Sequence, residues 1–242
     1  MKHILIFVYI AMILVATSWG AGALTLSSVE GDWTGTTGGS NVRYNDDVSI
    51  GYGNGLEDRI MWGQAASRAG QSGLGFTGAA SESSPMTFAL GDAFSFGQLR
   101  HFNNPIFSGT AASEAFLNIS MDFSDPGGLS NVFDFTFAID ETPNAPGPPA
   151  SDDRISIPGA HQSQIFEYAG IVYTFEFLGF GDSADHLISS FTSPEGTTNA
   201  TELWGKITAS NPVPEPGTML LLGVGLLGAA NVARRRVKDA PA

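Results

Sequence analysis

The chain has 242 residues, with 24 Asp or Glu against 11 Lys or Arg, so its formal net charge is −13 at pH 7. An acidic chain without a basic patch is not expected to bind nucleic acid. The absence of cysteine excludes a disulfide framework and thiolate-bound zinc, whereas a hydrophobic content of 43% is sufficient for a folded core.

The first 23 residues are typical of a secretory signal peptide. Lys2 and His3 precede an apolar run over positions 4–16, and the small-residue sequence Ala21-Gly22-Ala23 follows. A short basic start, an apolar stretch and an A-x-A site are the parts of a cleavable export signal. We therefore predict a signal peptide over residues 1–23, with an uncleaved anchor as the alternative.

The region from 24 to 210 has the two-residue alternation of β-strands. Apolar and polar residues alternate over 117–123 and 133–139, as in strands that bury one face. The two-residue link Ala169-Gly170 predicts a hairpin between 164–168 and 171–177. Further strands are predicted at 47–52, 58–62, 86–90, 94–101, 154–157, 186–191 and 202–208. Because helical periodicity is nearly absent, we predict one all-β domain, either a sandwich or a jelly roll.

The segment from Gly73 to Gly78 matches the G-x-G-x-x-G pattern of dinucleotide-binding loops. That pattern binds phosphate only between a strand and a helix N-terminus, with an acidic residue about 20 positions further on. The surrounding sequence has no such α/β pattern. We therefore predict a glycine-rich loop or bulge and no nucleotide site.

No catalytic residue is assigned from the sequence. The histidines His101, His161 and His186 are scattered, and no G-x-S-x-G motif is present. His101 precedes an Asn-Asn-Pro sequence at 103–105, which predicts a structural corner, with ligand contact as the alternative. Two carboxylates some 5–10 Å apart would allow glycoside hydrolysis, and a Ser-His-Asp triad assembled in space stays open. We expect no enzymatic activity.

Calcium is the ion that the sequence favours. Residues 142–150 contain four prolines and predict an exposed loop, which is flanked by carboxylate and amide oxygens. Calcium prefers such hard oxygen ligands. The candidate metal ligands are Asp140, Glu141, Asn144, Asp152 and Asp153. No D-x-[DN]-x-[DN]-G loop is present, so a solvated acidic surface is the alternative, and no other cofactor is expected.

The C-terminal residues 211–242 contain three elements in a fixed order. These are Val213-Pro214-Glu215-Pro216, an uncharged stretch at 217–233, and the cluster Arg234, Arg235 and Arg236. As a helix, 217–233 would span about 25 Å, slightly less than the ~30 Å hydrocarbon core of a bilayer. Arginines that follow a membrane helix stay on the cytoplasmic side, so the body would lie outside.

These three elements resemble the PEP-CTERM sorting signal of Gram-negative bacteria. The resemblance implies recognition by an exosortase, a transient stay in the inner membrane and removal of the tail. It also implies delivery to the cell envelope, cell surface or extracellular matrix, as in components of biofilm. An ordinary C-terminal anchor is the alternative.

Segments spread over most of the body form a second pattern. They are Trp62-Gly63, 71–78, Leu90-Gly91, 101–106, Gly109-Thr110, 137–144 and 173–180. Together and in this order they resemble the choice-of-anchor K domain of extracellular proteins. The resemblance implies an all-β extracellular domain over 24–210 and supplies no catalytic residues.

Three functions are compatible with these patterns. The first is a non-enzymatic surface or matrix protein with a structural, adhesive or polysaccharide-binding role in biofilm. Trp33, Trp62 or Trp204 would then be candidates for stacking on sugars, although core packing is the favoured role of each. The second is a secreted hydrolase acting on a matrix polysaccharide, and the third is a scaffold with neither activity.

Overall fold

The structure of the protein is a computed structural model that describes residues 22–142, 152–159 and 163–210. The regular structure in these ranges is entirely β, with thirteen strands and no helix, which confirms the all-β prediction. Within the described ranges there is accordingly no helix that could cross a membrane. The predicted helix at 217–233 and nearly all of the predicted signal peptide lie outside them.

The strands follow one another with short connections. In chain order they are β1 (Ala23–Gly38), β2 (Arg43–Ser49), β3 (Leu56–Trp62), β4 (Ser72–Gly78), β5 (Met86–Ala89), β6 (Ala93–Asn103), β7 (Ala112–Asp125), β8 (Leu129–Asp140), β9 (Asp153–Ser156), β10 (Ser163–Tyr168), β11 (Ile171–Gly181), β12 (Ser190–Ser193) and β13 (Thr197–Ser210).

These strands form two curled sheets that pack in a sandwich-like arrangement. The six-stranded sheet has the order β12-β9-β8-β7-β1-β5, and the seven-stranded sheet has the order β10-β11-β13-β6-β4-β3-β2. Neighbouring strands are antiparallel in both sheets. The chain passes repeatedly from one sheet to the other, so residues distant in sequence meet between the sheets.

Phenylalanine rings fill the space between the two sheets. Phe96 of β6 and Phe175 of β11 come from one sheet, and Phe135 of β8 comes from the other. The ring centroid of Phe96 lies 5.6 Å from that of Phe135 and 5.5 Å from that of Phe175. These separations are those of favourable aromatic pairs, and each such ring buries roughly 150–250 Å². The alternation seen in the sequence therefore points these rings into one shared core.

Most predicted strands are confirmed, and two are displaced. The predicted strands that overlap observed ones with little shift are those at 58–62, 86–90, 94–101, 117–123, 133–139, 154–157, 164–168, 171–177 and 202–208. The prediction at 47–52 extends too far, because β2 ends at Ser49 and a turn with positive φ at Gly53 follows. The prediction at 186–191 starts too early, because the backbone N–H of His186 donates to the carbonyl of Ser183 in a turn.

The prediction of a loop or bulge at Gly73–Gly78 is wrong. This segment is β4, a fully buried strand between β3 and β6. A Cβ on Gly78 would overlap with the backbone carbonyl of Val29, which belongs to the opposite sheet. Gly78 therefore allows close packing between the sheets, whereas Gly73 and Gly75 make room for Met61 and Glu57 of the neighbouring strand β3.

Candidate functional site

A cluster of ionisable side chains lies between the two sheets near the point where β8 ends and β9 begins. His101 belongs to β6 and Asp153 to β9, so the two come from opposite sheets, and both are 0% exposed. His101 Nε2 lies 3.9 Å from Asp153 Oδ2. Glu141 follows β8, and Glu195 lies between β12 and β13. We refer to these four residues as the acidic cluster.

Much of the hydrogen-bonding capacity of the acidic cluster is unused. Asp153 Oδ1 accepts a hydrogen bond of 2.9 Å from the backbone N–H of Thr142. Among the described residues, Asp153 Oδ2, both ring nitrogens of His101 and all four carboxylate oxygens of Glu141 and Glu195 have no hydrogen-bond partner. Polar groups buried in this way cost free energy, so ionisation of the cluster is strongly coupled to its surroundings.

Burial shifts the pKa of every member of the acidic cluster. Burial raises the pKa of Glu141, the charges of Asp153 and Glu195 raise it further, and the nearby indole of Trp62 acts in the opposite direction. Burial likewise raises the pKa of Asp153 against the hydrogen bonds from Thr142, and it raises the pKa of Glu195. It lowers the pKa of His101 from 6.5 to about 4. His101 is therefore neutral at pH 7, and the carboxyl groups hold protons above their ordinary range.

A cavity of about 450 Å³ lies beside the acidic cluster. Glu141 is the cluster member that lines it, together with Thr142 and the connection between β6 and β7. In that connection the aromatic side chain of Phe107 is 52% exposed. A cavity of this size, mostly apolar with a few polar groups, is suited to one small ligand or one unit of a polymer.

The segment after His101 is fixed by its asparagine side chains, as the sequence predicts. Asn103 Nδ2 donates a hydrogen bond of 2.7 Å to the backbone carbonyl of Ser193, two residues before Glu195 in the chain. Asn104 Nδ2 donates one of 2.8 Å to the backbone carbonyl of Gln71. The prediction of a structural corner is confirmed at Asn103, the last residue of β6, and at Asn104, whereas His101 lies inside that strand.

The structure places the predicted calcium ligands in different environments. Glu141 and Asp153 meet in the acidic cluster, Asp152 is half-buried, and Asp140 is exposed at the end of β8. Asn144 lies outside the described residues. In the ranges that the structure describes, no group of three or more His, Asp or Glu side chains is arranged to hold a metal ion. The calcium site stays a prediction.

Two cluster members were not among the predicted ligands. Glu195 follows Pro194 in the short link between β12 and β13. His101 lies in the seven-stranded sheet, opposite the sheet that contains β8 and β9. The alternation of β6 does place His101 on the core side, which is a signal that the sequence contains. Nothing in the sequence indicates that Glu195 would reach the same point.

The three tryptophan candidates have structural roles. Trp33 and Trp62 are buried in the core, and the indole N–H of Trp33 donates to the carbonyl of Asp58. The indole N–H of Trp204 donates to the carbonyl of Gly181. His186 is exposed beside Ser183, and His161 lies outside the described residues. The favoured core role is confirmed for Trp33 and Trp62.

Comparison with known proteins identifies the tail. A family model described as the PEP-CTERM protein-sorting motif matches residues 212–237. The match includes the predicted sorting residues Val213, Pro214, Glu215, Pro216, Arg234, Arg235 and Arg236, all of which lie outside the described residues. No curated protein matches the chain. The resemblance of the body to the choice-of-anchor K domain stays a prediction.

Replacing Glu141 by Gln will flatten the pH dependence of stability on the alkaline side. Because the pKa of Glu141 is raised from 4.5 to about 8, its contribution to the free energy of unfolding falls as the pH rises between these values. His101 acts in the opposite sense between about 4 and 6.5, so the effect is measured above pH 6.5. The free energy of unfolding is measured by chemical denaturation at several pH values. We expect its negative slope against pH to become less steep by up to about 1.4 kcal/mol per pH unit.

Glu82→Gln, at an exposed position, is the control and leaves the slope unchanged. Measurements are made with a chelator, since a bound cation would alter the titration. An identical slope in the Glu141→Gln variant and the unsubstituted protein would contradict the raised pKa of Glu141.

Calcium will stabilise the protein more at alkaline than at acidic pH if the predicted site forms. Binding requires ionised carboxylates, so calcium competes with the protons that burial retains on Glu141 and Asp153. We expect the midpoint of thermal unfolding to rise with calcium concentration at high pH. The rise will be lost in Asp153→Asn and kept in Glu82→Gln. Equal midpoints with calcium and with chelator would eliminate the site.

Proposed function

We propose that the protein is an exosortase-sorted surface or matrix protein whose β-sandwich is a non-enzymatic, polysaccharide-binding module. The PEP-CTERM motif at 212–237 carries this proposal. The motif implies an exported, envelope-associated protein that is processed by an exosortase. It follows the body directly, because β13 ends at Ser210. A structural or adhesive role in biofilm belongs to the same proposal.

The cavity beside the acidic cluster supports a sugar ligand. The half-exposed ring of Phe107 offers an apolar face of the kind on which pyranose rings stack. Glu141 and Thr142 line the same cavity; the Thr142 hydroxyl is a polar partner for sugar hydroxyl groups, whereas both carboxylate oxygens of Glu141 are buried. Aromatic and polar groups that line one concavity are the usual arrangement of a small-ligand site.

The burial of Asp153 supports a binding role over hydrolysis. Glycosidases of the common two-carboxylate type need both carboxyl groups beside the scissile bond. Glu141 lines the cavity, but both its carboxylate oxygens are buried, and Asp153 and His101 are 0% exposed. Asp153 therefore acts on the ionisation of Glu141 from within the core.

The alternative is a hydrolase that acts on a matrix polysaccharide. One observation favours it: Glu141 combines a raised pKa with a position at the cavity wall. A carboxyl group that keeps its proton near neutral pH is suited to general acid catalysis. Binding and turnover must therefore be measured on the same variants.

Removing the Phe107 side chain will weaken glycan binding without affecting folding. The full chain in mild detergent is tested on a glycan array, and affinities are then measured by calorimetry. We expect Phe107→Ala to lose about tenfold in affinity, as is common for a stacking aromatic ring. Tyr44→Ala, at a ring that is 47% exposed on β2, is the matched control and binds normally.

The same glycans are assayed for release of reducing ends. Absence of turnover together with Phe107-dependent binding supports the binding module. Turnover that disappears in Glu141→Gln would establish the hydrolase. If Phe107→Ala and Tyr44→Ala bind alike, the cavity is not the site.

Replacing Pro214, Glu215 and Pro216 by alanine will block processing in the native host. The intact mass of the mature protein and its location in cell fractions are the measurements. We expect the unaltered protein to lose the tail and reach the surface or matrix, and the variant to keep its tail in the envelope. Lys238→Gln lies just beyond the matched motif and is processed normally. An unaltered protein that retains its tail would refute exosortase processing.

A further inference from the structure

Two arginine side chains meet over one buried carboxylate on the seven-stranded sheet. Arg59 and Glu57 belong to β3, and Arg100 belongs to β6. Arg59 Nε donates a hydrogen bond to Glu57 Oε1, and Arg100 Nη1 donates one of 3.2 Å to Glu57 Oε2. The Glu57 side chain is 0% exposed, whereas those of Arg59 and Arg100 are 24% and 27% exposed. The carboxylate lies beneath the two guanidinium groups.

The register of the sheet brings these groups together. Gly75 of β4 pairs with Arg59 on one side and with Arg100 on the other. A Cβ on Gly75 would lie 2.7 Å from the carboxyl carbon of Glu57. The glycine therefore makes room for the carboxylate between the two arginines. Any side chain at this position would displace Glu57 and separate the pair.

An aromatic ring holds the same two guanidinium groups. The guanidinium carbons of Arg59 and Arg100 lie 4.8 and 5.4 Å from the ring centroid of Phe102. Cation–π contacts of this length restrict the guanidinium orientation. With the carboxylate and the ring in place, each arginine has lost most of its side-chain freedom before any ligand arrives. Such preorganisation lowers the entropic cost of binding.

The arginines keep unused hydrogen-bond donors and a surplus of charge. A guanidinium group has five N–H donors. Among the described residues, Glu57 is the only hydrogen-bond acceptor of either group. One arginine would neutralise Glu57, so the second leaves one positive charge. Residues 24–210 contain only six Lys or Arg against 22 Asp or Glu, and two of the six meet here.

The surface on the β13 side of the two arginines carries small or polar side chains. Ala200 of β13 pairs with Arg100, so a small side chain flanks the arginines on that side. A depression of about 460 Å³ continues past Ala200 and is lined by Gln98 and Glu202 among others. Their side chains are hydrogen-bonding partners for hydroxyl groups. An extended polyhydroxylated chain fits such a surface better than a compact ligand does.

We propose that Arg59 and Arg100 bind the carboxylate groups of an acidic polysaccharide, such as one containing uronic acids. The planar guanidinium fork matches a carboxylate in a bidentate manner. The acidic body repels dense polyanions, so the attraction is local and depends on this geometry. The choice of a polysaccharide rests on the proposed function, but the site is separate from the Phe107 cavity.

The test measures binding of an oligogalacturonate to the full chain in mild detergent by calorimetry. A neutral galactose oligomer, inorganic phosphate and phosphatidylglycerol vesicles are the comparison probes. We expect Arg59→Gln and Arg100→Gln each to weaken oligogalacturonate binding about tenfold or more. Arg43→Gln, on the neighbouring edge strand β2, is the matched control and stays within about twofold.

Two further variants separate geometry from charge. Arg59→Lys and Arg100→Lys keep the positive charge but lose the fork, and we expect most of the loss seen with Gln. Glu57→Gln makes the site more positive but releases the arginines, and we expect weaker binding. Thermal unfolding checks that each variant folds. Should Glu57→Gln fail to fold, the two Lys variants still decide the matter.

Each result has a defined meaning. Oligogalacturonate affinity that is equal in the arginine variants and Arg43→Gln overturns the proposal, as does tighter binding by Glu57→Gln. Binding of phosphate or vesicles without oligogalacturonate also overturns it. Arginine-dependent binding that Phe107→Ala leaves intact supports this site and rejects the cavity. Phe107-dependent glycan binding that the arginine variants leave intact supports the proposed function and rejects this site.

Discussion

Packing of phenylalanine rings between the two sheets is the interaction on which the rest of the structure depends. The chain has no cysteine, so no disulfide bond joins the sheets. Phe96, Phe135 and Phe175 join three strands from both layers. Glycines at points of closest approach, such as Gly31 of β1 against the ring of Phe76 of β4, let the sheets pack without displacing these rings. The spacing of the layers, and with it every contact across them, is set by this aromatic core.

The candidate sites use the sandwich in two different ways. The acidic cluster lies between the layers, where low polarisability retains protons on Glu141 and Asp153 and keeps His101 neutral. The arginine pair lies on one sheet, where strand register fixes Arg59 and Arg100 over Glu57. In the first case burial controls charge, and in the second a buried charge controls the position of exposed groups.

Local sequence patterns predict many of the strands, whereas the contacts of the candidate sites depend on the register of the strands, which those patterns do not reveal. Strands such as β7 and β8 are readable because apolar and polar residues alternate along them. β4 is not, because both its faces are buried and glycine interrupts the pattern. Glu141 and Asp153 flank one loop, so their clustering can be expected from the sequence. Glu195 lies in the link between β12 and β13, which belong to different sheets, and its position along the chain does not reveal that it meets them. The ion pair between Glu57 and Arg100 cannot be predicted from the sequence either, because it depends on the register of β3, β4 and β6.

The position of β13 has a mechanical consequence. β13 ends at Ser210, and the matched sorting motif begins at residue 212, so one residue separates the sheet from the sorting motif. β13 is an inner strand with β11 on one side and β6 on the other. A pull on the tail before its removal is therefore passed to an inner strand, whose hydrogen bonds to β11 and β6 share the load. A domain held at its attachment point in this way resists drag as a unit, with no loose edge strand to peel off first.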